Sequence, residues 1–241
     1  MRPLIRVTQL ESFRRYMSGL YDYVTEQDVI DSITQEFKGN EYTRIGTAFH
    51  SIVETGCPAC ERVPAGKRTF TYYGKETEED VPCGRMFDID GYDVTLDVPQ
   101  CKTALEYRTE HPGAFHEIRE YMDFGGAVVT GQADMIDGCE IRDIKTKYSQ
   151  PADRDYTDSS QWRFYLQLFG ADVFHFDLFV FEGYDIKKHG YDVRGLPLRR
   201  HEPITCYRYE GMEQDNENLV DEFLQWAEYR NLTEYLLKER I

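Results

Sequence analysis

Between residues 115 and 147 polar and apolar side chains alternate, and the alternation breaks at Gly125-Gly126 and again at Asp137-Gly138. Successive side chains on a strand point to opposite faces, and Gly-Gly and Asp-Gly pairs supply the positive φ that tight hairpins need. The pattern predicts three consecutive antiparallel strands over 115–124, 127–136 and 139–147. A meander of three strands cannot bury its own apolar face, so the rest of the chain must cover it.

The flanking segments read as that cover. Thr8-Gln9-Leu10-Glu11 has the form of a capping box opening a helix over 8–16. A second helix is expected over 25–37. A third is expected over 41–55, stopped by Gly56 and Pro58, with Ala48, Ile52 and Thr55 on one face and Phe49 and Val53 beside them. Pro99 opens a helix over 99–110, and Ser159 or Ser160 caps one over 161–170. Residues 213–240 read as a long amphipathic helix with Leu219, Phe223, Trp226 and Leu236 near one stripe. Further strands are expected at 175–182 and 206–210. Residues 57–97 read as irregular, with short strands near 68–73 and 86–94. Helices, then a meander, then helix, strand and helix, imply an α/β fold with a central mixed β-sheet flanked by helices. No Pro/Gly/Ser linker divides the 241 residues, so one domain over 1–241 is expected, with an irregular insertion around 57–112.

Forty-four acidic residues against 28 basic ones give a net charge of −16. That balance argues against a surface that coats nucleic acid broadly and tightly. It does not exclude a groove with its own local charge, because bound cations reverse the field around clustered carboxylates. The longest apolar run, 174–181, is interrupted by His175 and Asp177, and residues 1–10 carry no secretion-type apolar stretch. No membrane partner is expected, and the expected location is the cytoplasm, that of the host if a phage encodes the chain.

Asp134, Asp143 and Lys145 are the candidate chemistry of the meander. If Asp137-Gly138 is a two-residue loop, Asp134 faces Ile141, and Asp143 lies two residues further along the same face. A longer loop would set Asp134 directly opposite Asp143. Lys145 shares the face either way, while Met135, Ile144 and Val129 point to the other. Two carboxylates this close repel unless a cation sits between them, and Mg²⁺ or Mn²⁺ suits carboxylate oxygens. The carbonyl of Ile144 could add a ligand. A cross-strand salt-bridge ladder would produce the same local pattern, so the hairpin alone does not decide.

Three motifs, in order, resemble those of the PD-(D/E)XK nucleases and specifically their RecB-like branch. Gly46-Thr47-Ala48-Phe49-His50-Ser51-Ile52-Val53-Glu54 is similar to a Gly-x-x-x-His-x-x-x-Glu helix. Gly131-Gln132-Ala133-Asp134 with Asp143-Ile144-Lys145-Thr146 is similar to the paired core-strand motifs. Gln161-Trp162-Arg163-Phe164-Tyr165 is similar to a Gln-x-x-x-Tyr helix, and Gln9-Leu10-Glu11-Ser12-Phe13 loosely resembles the branch's first helix. The resemblance implies a restriction-endonuclease-like core in which His50, Asp134, Asp143 and the Ile144 carbonyl hold Mg²⁺ or Mn²⁺. Lys145 would be the catalytic lysine, beside Asp134 and Asp143. Gln161 and Tyr165, one helical turn apart, would contact DNA or buttress the site. Glu54, one turn beyond His50, would orient the imidazole. Glu117 and Glu120, on the strand before the hairpin, could lie near the site but are expected to be solvated.

The implied function is hydrolysis of DNA phosphodiesters, first as an exonuclease in recombination, repair or phage DNA processing, with a recombination or annealing protein as a further partner. The alternatives are a structure-specific or restriction-type endonuclease, or a catalytically silent binding module on the same scaffold. Oligomeric state is not set by any of these motifs.

Cys57-Pro58-Ala59-Cys60 has the shape of a zinc half-site. No second Cys-x-x-Cys follows, and Cys83 and Cys101 are the nearby completions, so free thiols are expected ahead of structural zinc. Some RecB-like nucleases hold an iron–sulfur cluster on one Cys before the histidine and three near the C-terminus. Here no Cys precedes His50 and the last hundred residues hold Cys206 alone, so no such cluster is expected.

Overall fold

A computed structural model of the chain describes residues 2–35, 38–72 and 74–237. The chain enters through a short strand β1 (Leu4–Arg6) that turns directly into helix α1 (Val7–Ser18), followed by α2 (Glu26–Thr34) and α3 (Glu41–Thr55). Strands β2 (Glu61–Val63), β3 (Gly66–Tyr72), β4 (Lys75–Val81), β5 (Gly84–Ile89) and β6 (Tyr92–Asp97) precede α4 (Val98–Glu110). The meander is β7 (Phe115–Asp123), β8 (Val128–Asp137) and β9 (Glu140–Lys147). After it come α5 (Arg154–Thr157), α6 (Gln161–Phe169), β10 (Val173–Phe181), α7 (Ile186–His189), β11 (Leu198–Arg200), β12 (Ile204–Tyr207), α8 (Met212–Tyr229) and α9 (Thr233–Leu236).

The seven-stranded sheet is mixed, and helices cover both of its faces. β7 runs antiparallel along one edge of β8. The other edge of β8 is divided between two strands. β1 pairs in parallel with Val128–Thr130, and β9 pairs antiparallel with Met135, Ile136 and Asp137. β9 then runs parallel to β10, whose far edge takes β12 and β11. Residues of β10 are buried on both faces. Phe174, Phe176 and Leu178 enter one apolar core with Phe13, Phe164 and Phe223, which come from α1, α6 and α8. Phe179 and Phe181 enter a second core with Phe49 of α3, Tyr107 of α4, and Phe87, Val94 and Leu96 of β5 and β6.

Several boundaries differ from the sequence expectation. α1 starts at Val7, and its first turn is closed by Gln9 Oε1 accepting the Arg6 N–H at 2.8 Å, not by a Thr8–Glu11 box. Glu11 is buried and serves a different helix: its carboxylate accepts the Ser160 N–H at 2.8 Å and hydroxyl at 2.9 Å, which ties α1 to the start of α6. α2 ends at Thr34, and Phe37 lies outside the described residues. The long C-terminal helix divides into α8 and α9, with Arg240 outside the described residues. The strands expected near 68–73 and 86–94 are present as β3 and as β5 with β6, and the rest of 61–97 is more regular than expected. The segment forms the three-stranded sheet β2-β5-β6 and the β3-β4 hairpin. Polar and charged composition hid β2 and β4 from a periodicity reading; Thr77 to Asp80 of β4 carry no apolar side chain.

Val129 packs in the first core while Met135 and Ile144 pack in the second, so the three do not share a face. The side-chain alternation of β8 slips by one residue between Ala133 and Met135, because Ala133 and Ile136 both meet the first core. Asp134 sits at the slip. Among the described residues no helix is long and apolar enough to cross a membrane.

Candidate functional site

The divided edge of β8 creates the site. β1 occupies its first half, β9 reaches only its last three residues, and between them β9 swings away toward β10. The β8–β9 pairs run Met135 with Arg142, Ile136 with Ile141 and Asp137 with Glu140. Of the two registers open from sequence, this is the one that sets Asp134 against Asp143, because the turn residues are Gly138 and Cys139. The next rung is not made as a backbone pair. The Ile144 N–H donates instead to Asp134 Oδ2 at 2.8 Å, so the carboxylate satisfies a backbone group that the splaying strand would leave exposed.

The opening brings residues from both layers together. Asp143 points toward α6, where its Oδ1 accepts from Gln161 Nε2 and from Lys145 Nζ, both at 2.9 Å. Its Oδ2 lies 2.8 Å from the same ammonium. Asp134 points toward α3, where His50 Nδ1 lies 3.9 Å from its Oδ2. The Ile144 carbonyl also bears on the His50 imidazole, so two groups expected as metal ligands are adjacent. Tyr165 donates its hydroxyl to the Gln132 carbonyl at 2.8 Å, holding the strand two residues before Asp134. Gln161 and Tyr165 are thus both turned into the site as buttresses. Glu54 is exposed beside these residues, where its charge bears on His50 and Glu117.

Glu117 is exposed, as expected, yet its carboxylate belongs to the site. Counting outward from the Gly125-Gly126 turn pairs Phe124 with Ala127, and the same count places Glu117 opposite Asp134; that register was the available signal. His116 pairs with Met135 and Ile118 with Ala133, but the rung between them is missing, and Glu117 has φ 54°, a left-handed backbone rare for a non-glycine residue. The kink brings its carboxylate to His50 and Asp134, so that one ligand atom from each lies within 4.8 Å of the others. Among the described residues this is the one such group of three His, Cys, Asp or Glu side chains.

Electrostatics mark the same place. Burial lifts the Asp143 carboxyl to about 6 despite Lys145, with Asp134 adding to the rise. Burial raises Asp134 as well. Burial and the charge of Asp134 push Glu117 up to about 7. Burial and Lys145 lower His50 to about 4, which keeps the imidazole neutral and its lone pair free. Lys145 is raised, because Asp143 and Asp134 outweigh its desolvation. Three carboxyls destabilised as anions around a neutral imidazole are what a divalent cation relieves, and a donor set of oxygens with one nitrogen suits Mg²⁺ or Mn²⁺.

Two cavities meet at this point. The larger, about 860 Å³, runs beside α3 from Glu117, Asp134 and Lys145 past His50 and Thr47 to Tyr42 and Tyr148. The smaller, about 340 Å³, lies on the α1 and α6 side between Arg6, Thr8, Arg119, Asp143 and Gln161. Glu117, Gln132, Asp134 and Lys145 line both, so the gap in the sheet joins them. Two glycines let the layers close on the site. A Cβ on Gly46 would lie 2.8 Å from Thr146 Oγ1, and one on Gly131 would meet Leu168, Val7 and Tyr165 at 3.0–3.3 Å.

The cysteines are elsewhere, all as free thiols. Cys57, Cys60 and Cys101 border one pocket with Arg85 and Phe87. Cys83 does not join them. β2 pairs with β5 through Val63 opposite Gly84, which leaves Cys83 beyond the far end of β2 from Cys60. Cys101, half-buried and lifted by desolvation to about 11, borders the same pocket as the pair.

The family model for the PD-(D/E)XK nuclease superfamily matches residues 12–239. Among solved structures, a candidate exonuclease from Eubacterium rectale is similar at 11% identity and a TM-score of 0.47, over 98% of this chain and 83% of that one. A phage-related exonuclease from Haemophilus somnus 129PT is similar at 13% identity and a TM-score of 0.40, over 98% of this chain and 94% of the other. No curated protein matches the sequence.

Proposed function

Because the chain belongs to the PD-(D/E)XK nuclease superfamily, we propose that it is a Mg²⁺- or Mn²⁺-dependent deoxyribonuclease that removes nucleotides from DNA ends during recombination, repair or phage DNA processing. The observation that carries the metal dependence is the meeting of His50, Glu117 and Asp134 from three separate elements beside the Asp143–Lys145 pair. Preference for an exonuclease rests on the likeness of the ordered motifs to the RecB-like branch.

In this reading His50, Asp134, Asp143 and the Ile144 carbonyl would hold the cation, as the motif likeness implies, and Glu117 would extend the ligand set. When bound, the cation polarises a phosphoryl oxygen and lowers the pKa of a water. Lys145, at the junction of the two cavities, faces the scissile phosphate and offsets the charge that builds on it. Gln161 fixes the rotamer of Asp143. Tyr165 fixes the strand that presents Asp134. The His50 imidazole, neutral above about pH 4, needs no proton loss before it binds.

The test is digestion of linear and covalently closed DNA with Mg²⁺, Mn²⁺ or chelator. Linear DNA should be degraded and closed circles spared, with no reaction in chelator. Asp143→Ala and Lys145→Ala should each lower the rate at least about 100-fold, the scale of losing one electrostatic partner of a transition state. Cleavage of closed circles would replace the exonuclease with an endonuclease. Activity that survives both substitutions would remove these residues from the reaction.

A further inference from the structure

We propose that the larger cavity takes a single strand of nucleic acid, one base of which stacks on Tyr42 about three to four base steps from the metal-binding residues. The proposal rests on the nuclease reading above and adds the strand form that the site accepts.

Tyr42, Gly46 and His50 are spaced four residues apart on α3 and line one wall of the cavity. Eight residues of helix put Tyr42 about 12 Å from His50 along the axis. At the 3.4 Å rise of stacked bases that is about three to four steps. A strand whose phosphate lies at Asp134 and Lys145 therefore reaches Tyr42 within the groove.

The ring is held ready for a ligand. Tyr148 meets it edge-on at 4.9 Å and 62°, and Tyr184 at 5.6 Å and 63°. The Tyr148 hydroxyl donates to the Tyr42 carbonyl at 2.8 Å, and Tyr148 itself stacks on buried Phe181 at 5.7 Å and 11°. Those two tyrosines pack against the second core, whereas Tyr42 belongs to neither core and is 40% exposed. A rigid aromatic ring left open in a groove loses little entropy when a base stacks on it.

Charge separates a single strand from a duplex. Duplex affinity comes mainly from neutralising many phosphates. This cavity offers two lysines, Lys145 and Lys147, on a chain of net charge −16, and Lys145 is already paired with Asp143. Base–aromatic stacking supplies about 1–3 kcal/mol per base without that requirement.

The experiment is fluorescence binding of a 12-nucleotide oligodeoxythymidine and of a hairpin duplex of equal stem length, with Ca²⁺ replacing the catalytic cation. The wild type should bind the single strand more tightly, with a log K against log salt slope near −1.4, that of about two phosphate contacts. Tyr42→Ala and Tyr42→Leu should weaken single-strand binding about 5- to 150-fold, the equivalent of one stacked base, and more than they weaken duplex binding. Tyr42→Phe should bind as the wild type does. Tyr42→Leu keeps apolar packing against Tyr148 and Tyr184, so it reads the ring if the alanine variant unfolds. Preference for the duplex, a slope of −5 or steeper, or a Leu variant within twofold of wild type would overturn the proposal. A protein that binds the single strand through Tyr42 yet cuts no DNA keeps it and overturns the nuclease reading instead.

Discussion

A methyl group at position 46 would sit 2.8 Å from Thr146 Oγ1, where an ordinary carbon–oxygen contact is about 3.3–3.6 Å. Gly46→Ala therefore asks α3 and β9 to part by about 0.5 Å, since the Thr146 side chain is branched and stiff about its first torsion. Overpacking of this kind costs about 1–3 kcal/mol, and replacing a mid-helix glycine with alanine returns about 1 kcal/mol. The net loss is about 0–2 kcal/mol, a few degrees in Tm for a chain of this size. The site is less forgiving. His50 is one turn further along α3, 3.9 Å from Asp134 and beside the Ile144 carbonyl, so the same displacement pulls it from its partners. A misplacement near 1 Å costs about 100-fold in rate, so half of that should cost about 10-fold. The assay is Mn²⁺ calorimetry and nuclease rate beside thermal unfolding, for Gly46→Ala, Thr146→Ala and the double variant. The double variant removes the clashing oxygen and should recover Mn²⁺ affinity relative to Gly46→Ala, a coupling of about 1–2 kcal/mol. Wild-type rate and affinity in Gly46→Ala would refute the close-approach argument, and so would a loss that Thr146→Ala fails to relieve.

Two further outcomes are expected. In metal-free protein the folded pKa of Glu117, about 7, stands above the ordinary carboxyl value of 4.5. Its contribution to stability is therefore present below about pH 4.5 and is lost as pH rises through 7. Glu117→Gln lacks that dependence, so its Tm should rise relative to wild type between pH 5 and 8, and added Mn²⁺ should reverse the order; a pH-independent difference would contradict it. One strand over from the site, on β10 opposite Ile144, Asp177 is fully buried and accepts from Tyr107 at 2.8 Å and Arg142 at 3.1 Å, with Arg200 at 4.0 Å. Asp177→Ala should cost about 3–5 kcal/mol by leaving Arg142 without its buried partner, and a Tm within 2 °C of wild type would show that the network carries no such weight.

Local signals in the sequence settled much of the fold. Helix α3 matched its expected bounds at both ends, because Asn40 caps its start through the Thr43 N–H and Gly56 ends it with φ 73°. Both hairpins of the meander were legible, since glycine and alternation act within a few residues. The ordered motifs were legible too, and with them Asp134, Asp143, Lys145, Gln161 and His50.

What the sequence could not express is where a strand leaves its neighbour. β9 departs from β8 because β1, more than 120 residues earlier, takes the first half of the same edge. That departure, not a shared face, is what sets Asp134 toward α3 and Asp143 toward α6. It also leaves an Ile144 amide that the Asp134 carboxylate satisfies. Glu117 was hidden for a related reason. Its alternation reads as a solvated strand residue, which it is, and no glycine announces the positive φ that brings its carboxylate to His50 and Asp134. Cys83 shows the converse, a residue near the Cys57–Cys60 pair in sequence that the β2–β5 register carries away from it. Alternation, caps and turns are short-range and are written residue by residue. Which strand holds which edge is a competition among distant segments, and it is decided only when the sheet and its two cores assemble together.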